Sequence, residues 1–218
     1  MKPMSKIWQR MRKAGGEFIA DCRALAAVEF AFILPLMLVL FFGTVEFSQG
    51  IAIDRKVTLT ARTLSDLTAQ AQSSLSPPVA TINNTYLQNV FTAAISIVMP
   101  YPPAPTIAQI SEIYIDSNLV ATIQWSEGAT IGAGATQATL TASTHNPGDV
   151  ISIPSQLLIK QTYLILSEVS YQYVPTVGYV MAPSGVNLSD VSYSRPRSAV
   201  CIVYNNAPAL QSGSCPLS

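Results

Sequence analysis

The sequence predicts an α+β fold in which a long N-terminal transmembrane helix with an amphipathic extension precedes a small antiparallel β-sheet domain. Three patterns carry this prediction. The segment Leu25–Val45 is almost wholly apolar, apolar residues then recur every three or four positions to about Gln72, and beyond Pro105 they alternate with polar ones. A chain of 218 residues has room for one anchor and one modest globular domain.

The apolar segment has the length of a membrane-spanning helix. It reads LAAVEFAFILPLMLVLFFGTV, 21 residues with Glu29 as the single charge. At about 1.5 Å per residue it extends roughly 31 Å, which matches the hydrocarbon core of a bilayer. A cleaved secretory signal is the alternative, but its apolar region is shorter and ends at a small-residue site, for which Ser48-Gln49-Gly50 is a poor match. We therefore predict an anchor that is not removed as a secretory signal.

The distribution of charge predicts the orientation of this anchor. Residues 1–24 contain six basic and two acidic side chains, whereas residues 67–218 contain three basic and six acidic ones. Basic residues stay on the cytoplasmic side, so residues 67–218 are expected on the far side of the membrane. The net charge is zero and 11% of residues are charged, which gives no indication of a nucleic-acid partner.

Three cysteines fall on the two sides of this predicted membrane. Cys22 precedes the span, on the reducing side, while Cys201 and Cys215 lie fourteen positions apart on the exported side. A disulfide persists in that compartment and would stabilise the fold by about 3 kcal/mol. The alternative is two unpaired thiols near the C-terminus, since a metal site would need more Cys or His ligands than this tail has.

Two residues inside the span need a physical explanation. Pro35 lacks an N–H and clashes with the carbonyl of residue 31, so it is expected to kink the helix, which membrane helices tolerate. Glu29 places a carboxylate in an apolar segment, where near a helix centre it costs about 3 kcal/mol and near an end less. Glu29 either reaches the lipid headgroups or meets a positive charge inside the membrane.

The residues around Glu29 carry a family resemblance. The string Arg23-Ala24-Leu25-Ala26-Ala27-Val28-Glu29-Phe30-Ala31-Phe32-Ile33-Leu34-Pro35, with the exit Gly43-Thr44-Val45-Glu46-Phe47, closely resembles the start of the TadE/TadG-like proteins of Tad (Flp) pilus systems. Their pattern is R-(R)-G-A-x-A-V-E-F-A-L-x-L-P followed by an apolar run. The resemblance implies a minor pilin-like protein of the bacterial inner membrane, with a periplasmic domain of pilin-like outline and other pilin or Tad assembly proteins as partners.

The same resemblance implies a processing site. Several family members look like type IV prepilins, whose peptidase cuts five residues before the glutamate, here between Ala24 and Leu25. The new ammonium at Leu25 would share a helix face with Glu29 and could pair with it. Prepilins prefer glycine where this chain has Ala24, so the alternative is a signal anchor that keeps its leader.

Four regions follow from these patterns. They are a cytoplasmic basic leader (1–24), the transmembrane helix (25–47), an amphipathic helical stalk (48–76) and a periplasmic α+β domain (77–218). The stalk has Ile53, Val57 and Leu64 on one face and charged residues on the others. A helix that lies on its own globular domain has the same pattern, and the sequence leaves the two arrangements open.

The domain itself shows a helix followed by strands. Apolar periodicity over 81–98 predicts a second helix, which Pro100 stops. Alternation predicts a hairpin over 113–125 and a strand at Gln161–Val174, and the Gly/Ala/Thr-rich residues 127–149 are expected to form an exposed loop. In the last segment, Val191–Tyr204, the string Tyr193-Ser194-Arg195-Pro196-Arg197 resembles the C-terminal end of TadE/TadG-like proteins. Arg195 and Arg197 there either contact a partner subunit or simply end a sheet.

The sequence contains no pattern typical of an active site. The single histidine, His145, stands in the turn sequence Thr144-His145-Asn146-Pro147-Gly148 and is expected to face solvent. The chain lacks G-x-S-x-G and the Lys-Ser/Thr of a phosphate loop, and its exported carboxylates are scattered singly. We therefore expect no catalysis, cofactor or metal, and a structural role in a pilus. The alternative is an anchored envelope protein whose exported domain binds a ligand or surface polymer.

Overall fold

A computed structural model of the chain describes residues 22–72, 78–175, 184–205 and 215. The chain divides into two compact units, residues 1–48 and residues 49–218. Most of the predicted leader, residues 1–21, lies outside the described residues, as does the end of the predicted stalk, residues 73–76. Because the second unit begins at residue 49, it contains nearly all of the predicted amphipathic extension of the helix.

Helix α1 spans Cys22–Ala69 without a break. Its first part confirms the predicted long apolar helix, and its last part ends at Ala69, earlier than the pattern predicted. Within the second unit Ile53, Val57 and Leu64 are almost completely buried. Of the two arrangements that the sequence left open, the structure has the helix lying on its own domain, because these side chains form part of the domain's core.

Helix α2 spans Asn84–Val98 and confirms the predicted second helix. The side chain of Asn83 caps its start by accepting a hydrogen bond from the backbone N–H of Tyr86 at 2.9 Å. The helix ends at Val98, and its C-cap residue, Met99, directly precedes Pro100, which lacks the N–H that a further turn would need.

The strands form two sheets. A five-stranded antiparallel sheet has the order β4-β3-β2-β5-β6, and β1 pairs with β7 in a parallel two-stranded sheet. The strand bounds are β1 Val79–Ile82, β2 Thr106–Ile115, β3 Ala121–Thr130, β4 Thr139–Thr141, β5 Thr162–Tyr173, β6 Val186–Ser194 and β7 Cys201–Tyr204. The antiparallel sheet confirms the α+β class, while the parallel pair joins residues more than a hundred positions apart and no local pattern predicted it.

The segment predicted as an exposed loop, 127–149, contains strand residues at 127–130 and 139–141, which corrects the prediction for those residues. Strand β3 continues to Thr130, β4 lies within the segment, and Ala129 and Ala138 are buried. A Cβ added at Gly128 would lie 3.0 Å from the carbonyl oxygen of Ala142, so the small residue lets two backbones approach. Small residues form strands here because of their neighbours, which propensity alone does not predict.

The sheet separates two apolar clusters. Its inner face, with Ile165, Val169 and Tyr171 of β5, packs against both helices and the β1–β7 pair. Its outer face, with Ile123 and Leu164, is covered by the segment that contains the short 3₁₀ helix Ser155–Leu157. The alternation predicted for β5 is therefore confirmed, and α1 supplies one wall of the main core.

We predict that Leu64→Ala lowers the free energy of unfolding by about 2–5 kcal/mol, because Leu64 is fully buried and truncation leaves a cavity. The matched control is Leu59→Ala, since Leu59 lies on the same helix and is 53% exposed. Denaturant unfolding of the full chain in detergent, followed by the fluorescence of Trp125 in a Trp8→Phe background, measures both variants. Equal losses in the two variants would mean that the helix face is not a core surface.

Candidate functional site

The first part of α1 exposes apolar side chains on all its faces. From Leu25 to Phe42 the large hydrophobic residues are between 38% and 79% exposed. Among the described residues, this helix is the one with the length and composition to cross a membrane. A helix that is apolar all round is stable when lipid or neighbouring helices cover it, so this surface is the candidate association site.

Glu29 is the one acidic residue in this apolar surface, and the structure places it in the helix with its side chain exposed. It lies four positions after Leu25, so the two residues share a helix face. Ala24 and Leu25 are themselves helical. Cleavage between them, and pairing of the resulting amine with Glu29, remain predictions from the family resemblance.

Pro35 lies inside α1, and the helix continues on both sides of it. Farther along, two hydroxyl groups bond back to the helix: Thr44 Oγ1 donates to the carbonyl oxygen of Leu40, and Ser48 Oγ to that of Thr44, both at 2.8 Å. Such bonds satisfy the polar groups of a helix in an apolar environment. The exit from the apolar run therefore carries hydroxyls that need no partner outside the helix.

Two side-chain bonds join α1 to α2 in the second unit. The Lys56 ammonium donates to the carbonyl oxygen of Ile97 at 2.7 Å, in the last turn of α2, where a cation complements the helix dipole. The Tyr86 hydroxyl, in the first turn of α2, donates to the carbonyl oxygen of Leu67 at 2.8 Å. The two helices therefore run antiparallel.

Polar contacts also join the end of α1 to the end of β6. The hydroxyls of Ser65 and Ser192 are 2.9 Å apart, and the guanidinium of Arg197 forms an ion pair with Asp66. Arg197, predicted from the sequence as either a partner contact or the end of a sheet, thus makes a contact within the chain. Arg195 is exposed.

A buried carboxyl group links the two sheets. Glu112 of β2 is fully buried and accepts a hydrogen bond from the backbone N–H of Ile202, in β7, at 2.6 Å. The indole N–H of Trp125, opposite Glu112 on β3, lies 2.6 Å from the carbonyl oxygen of Ile202 and 3.2 Å from Glu112 Oε2. One residue of β7 therefore has both backbone polar groups bound by side chains of the large sheet.

Burial raises the pKa of Glu112 to about 8, although the hydrogen bonds from Ile202 and Trp125 oppose the rise by stabilising the carboxylate. At neutral pH this carboxyl group is therefore mostly protonated in the folded protein. The sequence showed Glu112 only as one scattered acidic residue, because its partners lie 13 and 90 positions away. A glutamate flanked by Ile110, Ile113 and Ile115 in a strand was the local signal available.

The strand bound by Glu112 also carries a disulfide. Cys201 is bonded to Cys215, with their Cα atoms 6.0 Å apart, and both residues are buried. Cys215 thus connects the C-terminal part of the chain to β7. The sequence prediction left free thiols as the alternative, and this geometry is that of the bonded pair.

His145 does not simply face solvent, which corrects the prediction for this residue. Its Nε2 atom lies 2.7 Å from Glu168 Oε2, on the outer face of the sheet, and Gln109 Nε2 donates to the same oxygen at 2.5 Å. The hydroxyl of Ser143 donates to Gln109 Oε1 at 3.0 Å. The network ties the segment after β4 to β2 and β5. Within the described part of the chain, no three His, Cys, Asp or Glu side chains form a group that would hold a metal.

The chain therefore has the features of a protein with a candidate N-terminal membrane anchor: an exposed apolar helix whose later residues form part of the core of an α+β domain. Residues 25–64 match the family model described as TadE-like protein, which confirms the resemblance found in the sequence. The match covers the exposed apolar helix and the first buried turns of the second unit. No curated protein and no solved structure matches the chain.

We predict that the stability of the domain falls as pH rises from about 5 to about 8. The folded state, in which the pKa of Glu112 is about 8, keeps a proton that an unfolded glutamate releases above its ordinary pKa of about 4.3. The stabilisation is complete below the unfolded pKa and is lost as pH passes the folded one, at up to about 1.4 kcal/mol per pH unit.

The test compares Glu112→Gln with the unchanged protein by denaturant unfolding at several pH values. Glutamine keeps an oxygen for the Ile202 N–H and does not titrate, so the difference in unfolding free energy between the two proteins should change with pH. The difference isolates Glu112 from other groups such as Glu127, whose pKa is also raised by burial. A difference that stays constant from pH 5 to pH 8.5 would show that Glu112 keeps its ordinary pKa.

We also predict that Cys201 and Cys215 resist alkylation until a reductant is added, even in denaturant, because a disulfide and not burial protects them. Peptide mass spectrometry after labelling with and without reductant measures each site. In protein that has not been cleaved before Leu25, Cys22 is the internal control and should be labelled under both conditions. Full labelling of Cys201 and Cys215 in denaturant alone would contradict the bond.

Proposed function

We propose that the chain is a structural or assembly component of a Tad-type pilus, a minor pilin-like protein that acts by association. The observation that carries the proposal is a coincidence of two findings. The residues that match the TadE-like family model, 25–64, include the apolar helix that the described domain leaves uncovered. The helix would associate with pilin or assembly-protein helices in the bacterial inner membrane.

The proposal places residues 1–24 in the cytoplasm and the second unit in the periplasm. The charge asymmetry of the sequence supports this orientation, with six basic residues before Leu25. The disulfide between Cys201 and Cys215 supports an oxidising compartment for the C-terminal part. Arg195, exposed at the end of β6, is then available to periplasmic partners.

Association rather than catalysis is the proposed mode of action. The most perturbed carboxyl group in the described residues, Glu112, is fully enclosed, so no substrate reaches it. The histidine is bound to Glu168 in a network that joins strands. Glu112 and His145 therefore have structural roles, and the exposed apolar helix is the proposed binding surface.

Glu29 is the proposed specificity element of the helix. A carboxylate in an apolar environment is stabilised when a positive charge approaches it, so a helix with Glu29 associates best where an amine is present. The amine would be that of Leu25 after cleavage by a prepilin peptidase, in the same subunit or in a neighbour. Pro35 would set the shape of the helix between these contacts.

We predict that the mature protein begins at Leu25 and that filaments are lost in Glu29→Gln but retained in Glu29→Asp, because the negative charge is the feature required. Intact-mass spectrometry of the protein from its own host identifies the first residue of the mature chain. Filament counts in a deletion strain complemented with each variant show whether filaments form. A peptidase-null host is the control and should yield the chain starting at Met1.

The outcomes separate the components of the proposal. A wild-type chain that keeps Met1 while deletion abolishes filaments rules out processing and leaves a pilus role by an uncleaved anchor. Normal filaments in the deletion strain contradict the pilus role and favour an anchored envelope protein that binds a ligand or surface polymer.

A further inference from the structure

One end of the second unit is defined by the entry of α1. A Cβ added at Gly50 would lie 3.6 Å from the ring of Tyr173, so the end of β5 lies beside the first turn of α1 in this unit. Helix α2 runs antiparallel to α1, which brings its last turn, at Ile97, toward the same end. We call this end of the domain the basal end.

The prolines after α2 and the start of β6 belong to the basal end too. The hydroxyl of Tyr171 donates to the carbonyl oxygen of Pro102 at 3.1 Å, and the backbone N–H of Gln172 to that of Pro105 at 3.3 Å. Tyr173 pairs with Val186, the first residue of β6. The loop before β2 and the two ends of β5 and β6 are therefore neighbours.

The basal end exposes large apolar side chains on these neighbouring segments. Ile107 and Val174 are 58% and 59% exposed, and Met99 and Val186 are exposed as well. These four residues are named the basal surface. The other end of the sheet exposes large apolar residues as well: Leu119, Val120, Val150 and Ile159. The basal surface differs from these in that it lies beside the entry of α1.

The segments that form the basal end are poor in charged residues. The sequence has no Asp, Glu, Lys or Arg between Asp66 and Glu112 or between Glu168 and Asp190, the stretches that contribute the basal surface. At the other end of the sheet lie Asp116, in the turn after β2, and Lys160, just before β5. Farther into the sheet from this end, Glu168 pairs with Gln109 and Asp190 with Val169. Helix α1 carries Asp54, Arg55 and Lys56 just after Gly50.

The chain sets a limit on how far the basal end lies from the end of the apolar run. Gly50 lies five positions after Val45, and five positions span at most about 18 Å even when fully extended. If the apolar run spans a bilayer, the basal end of the domain is within that distance of the bilayer surface, whatever the angle between the two units.

We propose that the basal surface lies in the headgroup region of the membrane, with Ile107 and Val174 in contact with lipid. The inference rests on the proposed membrane anchor, whose continuity with the basal end selects lipid as the occupant. Tyr173, which is half-buried at the same end, has the amphipathic ring that favours this region. Lipid contact would fix the height of the domain above the membrane and present its charged end to periplasmic partners.

The experiment uses the full chain with Cys22→Ser and one added cysteine, Ile107→Cys or Val174→Cys, each carrying a nitroxide spin label. The matched control is Val150→Cys, since Val150 is 72% exposed and its β-bridge partner, Thr122, pairs with Tyr114 near the charged end of the sheet. Each protein is reconstituted into vesicles of phosphatidylethanolamine and phosphatidylglycerol without any other protein. Collision rates with oxygen and with a water-soluble nickel complex are then measured.

We expect the ratio of oxygen to nickel collisions to shift toward oxygen at Ile107 and Val174 and to remain at the aqueous value at Val150. Aqueous values at all three positions, in protein that floats with the vesicles, would overturn the inference, leave the anchor intact and indicate a protein partner for the basal surface. Failure of the chain to float with vesicles would contradict the anchor and the basal contact together. Unchanged unfolding of each labelled protein shows that the labels do not disturb the fold.

Discussion

The packing of one face of α1 against the inner face of the large sheet is the interaction on which the rest of the domain depends. Ile53, Val57 and Leu64 share a single core with α2, the sheet and the β1–β7 pair. The sheet's outer face has its own cluster, whereas the inner face would lose one of the elements that cover it without the helix. The residues predicted as a stalk, 48–76, are therefore part of the domain's packing as far as the helix extends, to Ala69.

The buried carboxyl group of Glu112 is a second constraint, and it acts on the position of strand β7. Strand β7 has four residues and, within the described part of the chain, pairs with β1 alone, so it contributes few ladder bonds of its own. Glu112 and Trp125 bind both backbone polar groups of Ile202, and the disulfide at Cys201 acts on the adjacent residue. Burying a neutral carboxylic acid costs far less than burying a carboxylate, which is why proton uptake and the position of β7 are coupled.

The sequence predicted those elements whose signals are local. The apolar run, the periodicity of both helices and the alternation in β5 come from neighbouring residues, and the TadE-like resemblance comes from a contiguous motif. The parallel pairing of β1 with β7 and the bond between Glu112 and Ile202 depend on residues 90 or more positions apart, and no pattern in one sequence encodes them. The loop expected over the Gly/Ala/Thr-rich residues 127–149 is wrong at 127–130 and 139–141, because small residues gain their strand preference from neighbours.

The two parts of α1 obey different physical rules, and this difference bears on how the protein would work. From Leu25 to Phe42 any large apolar residue suits a lipid environment, so identity matters mainly where polarity or backbone shape is special, at Glu29 and Pro35. From Ile53 onward the volume of each buried side chain matters, because the core is close-packed. A partner that packs on the exposed part and meets Glu29 with a positive charge would act on the first of these parts alone, whereas a substitution from Ile53 onward would act on the stability of the domain. The residues that match the TadE-like family model, 25–64, include both parts.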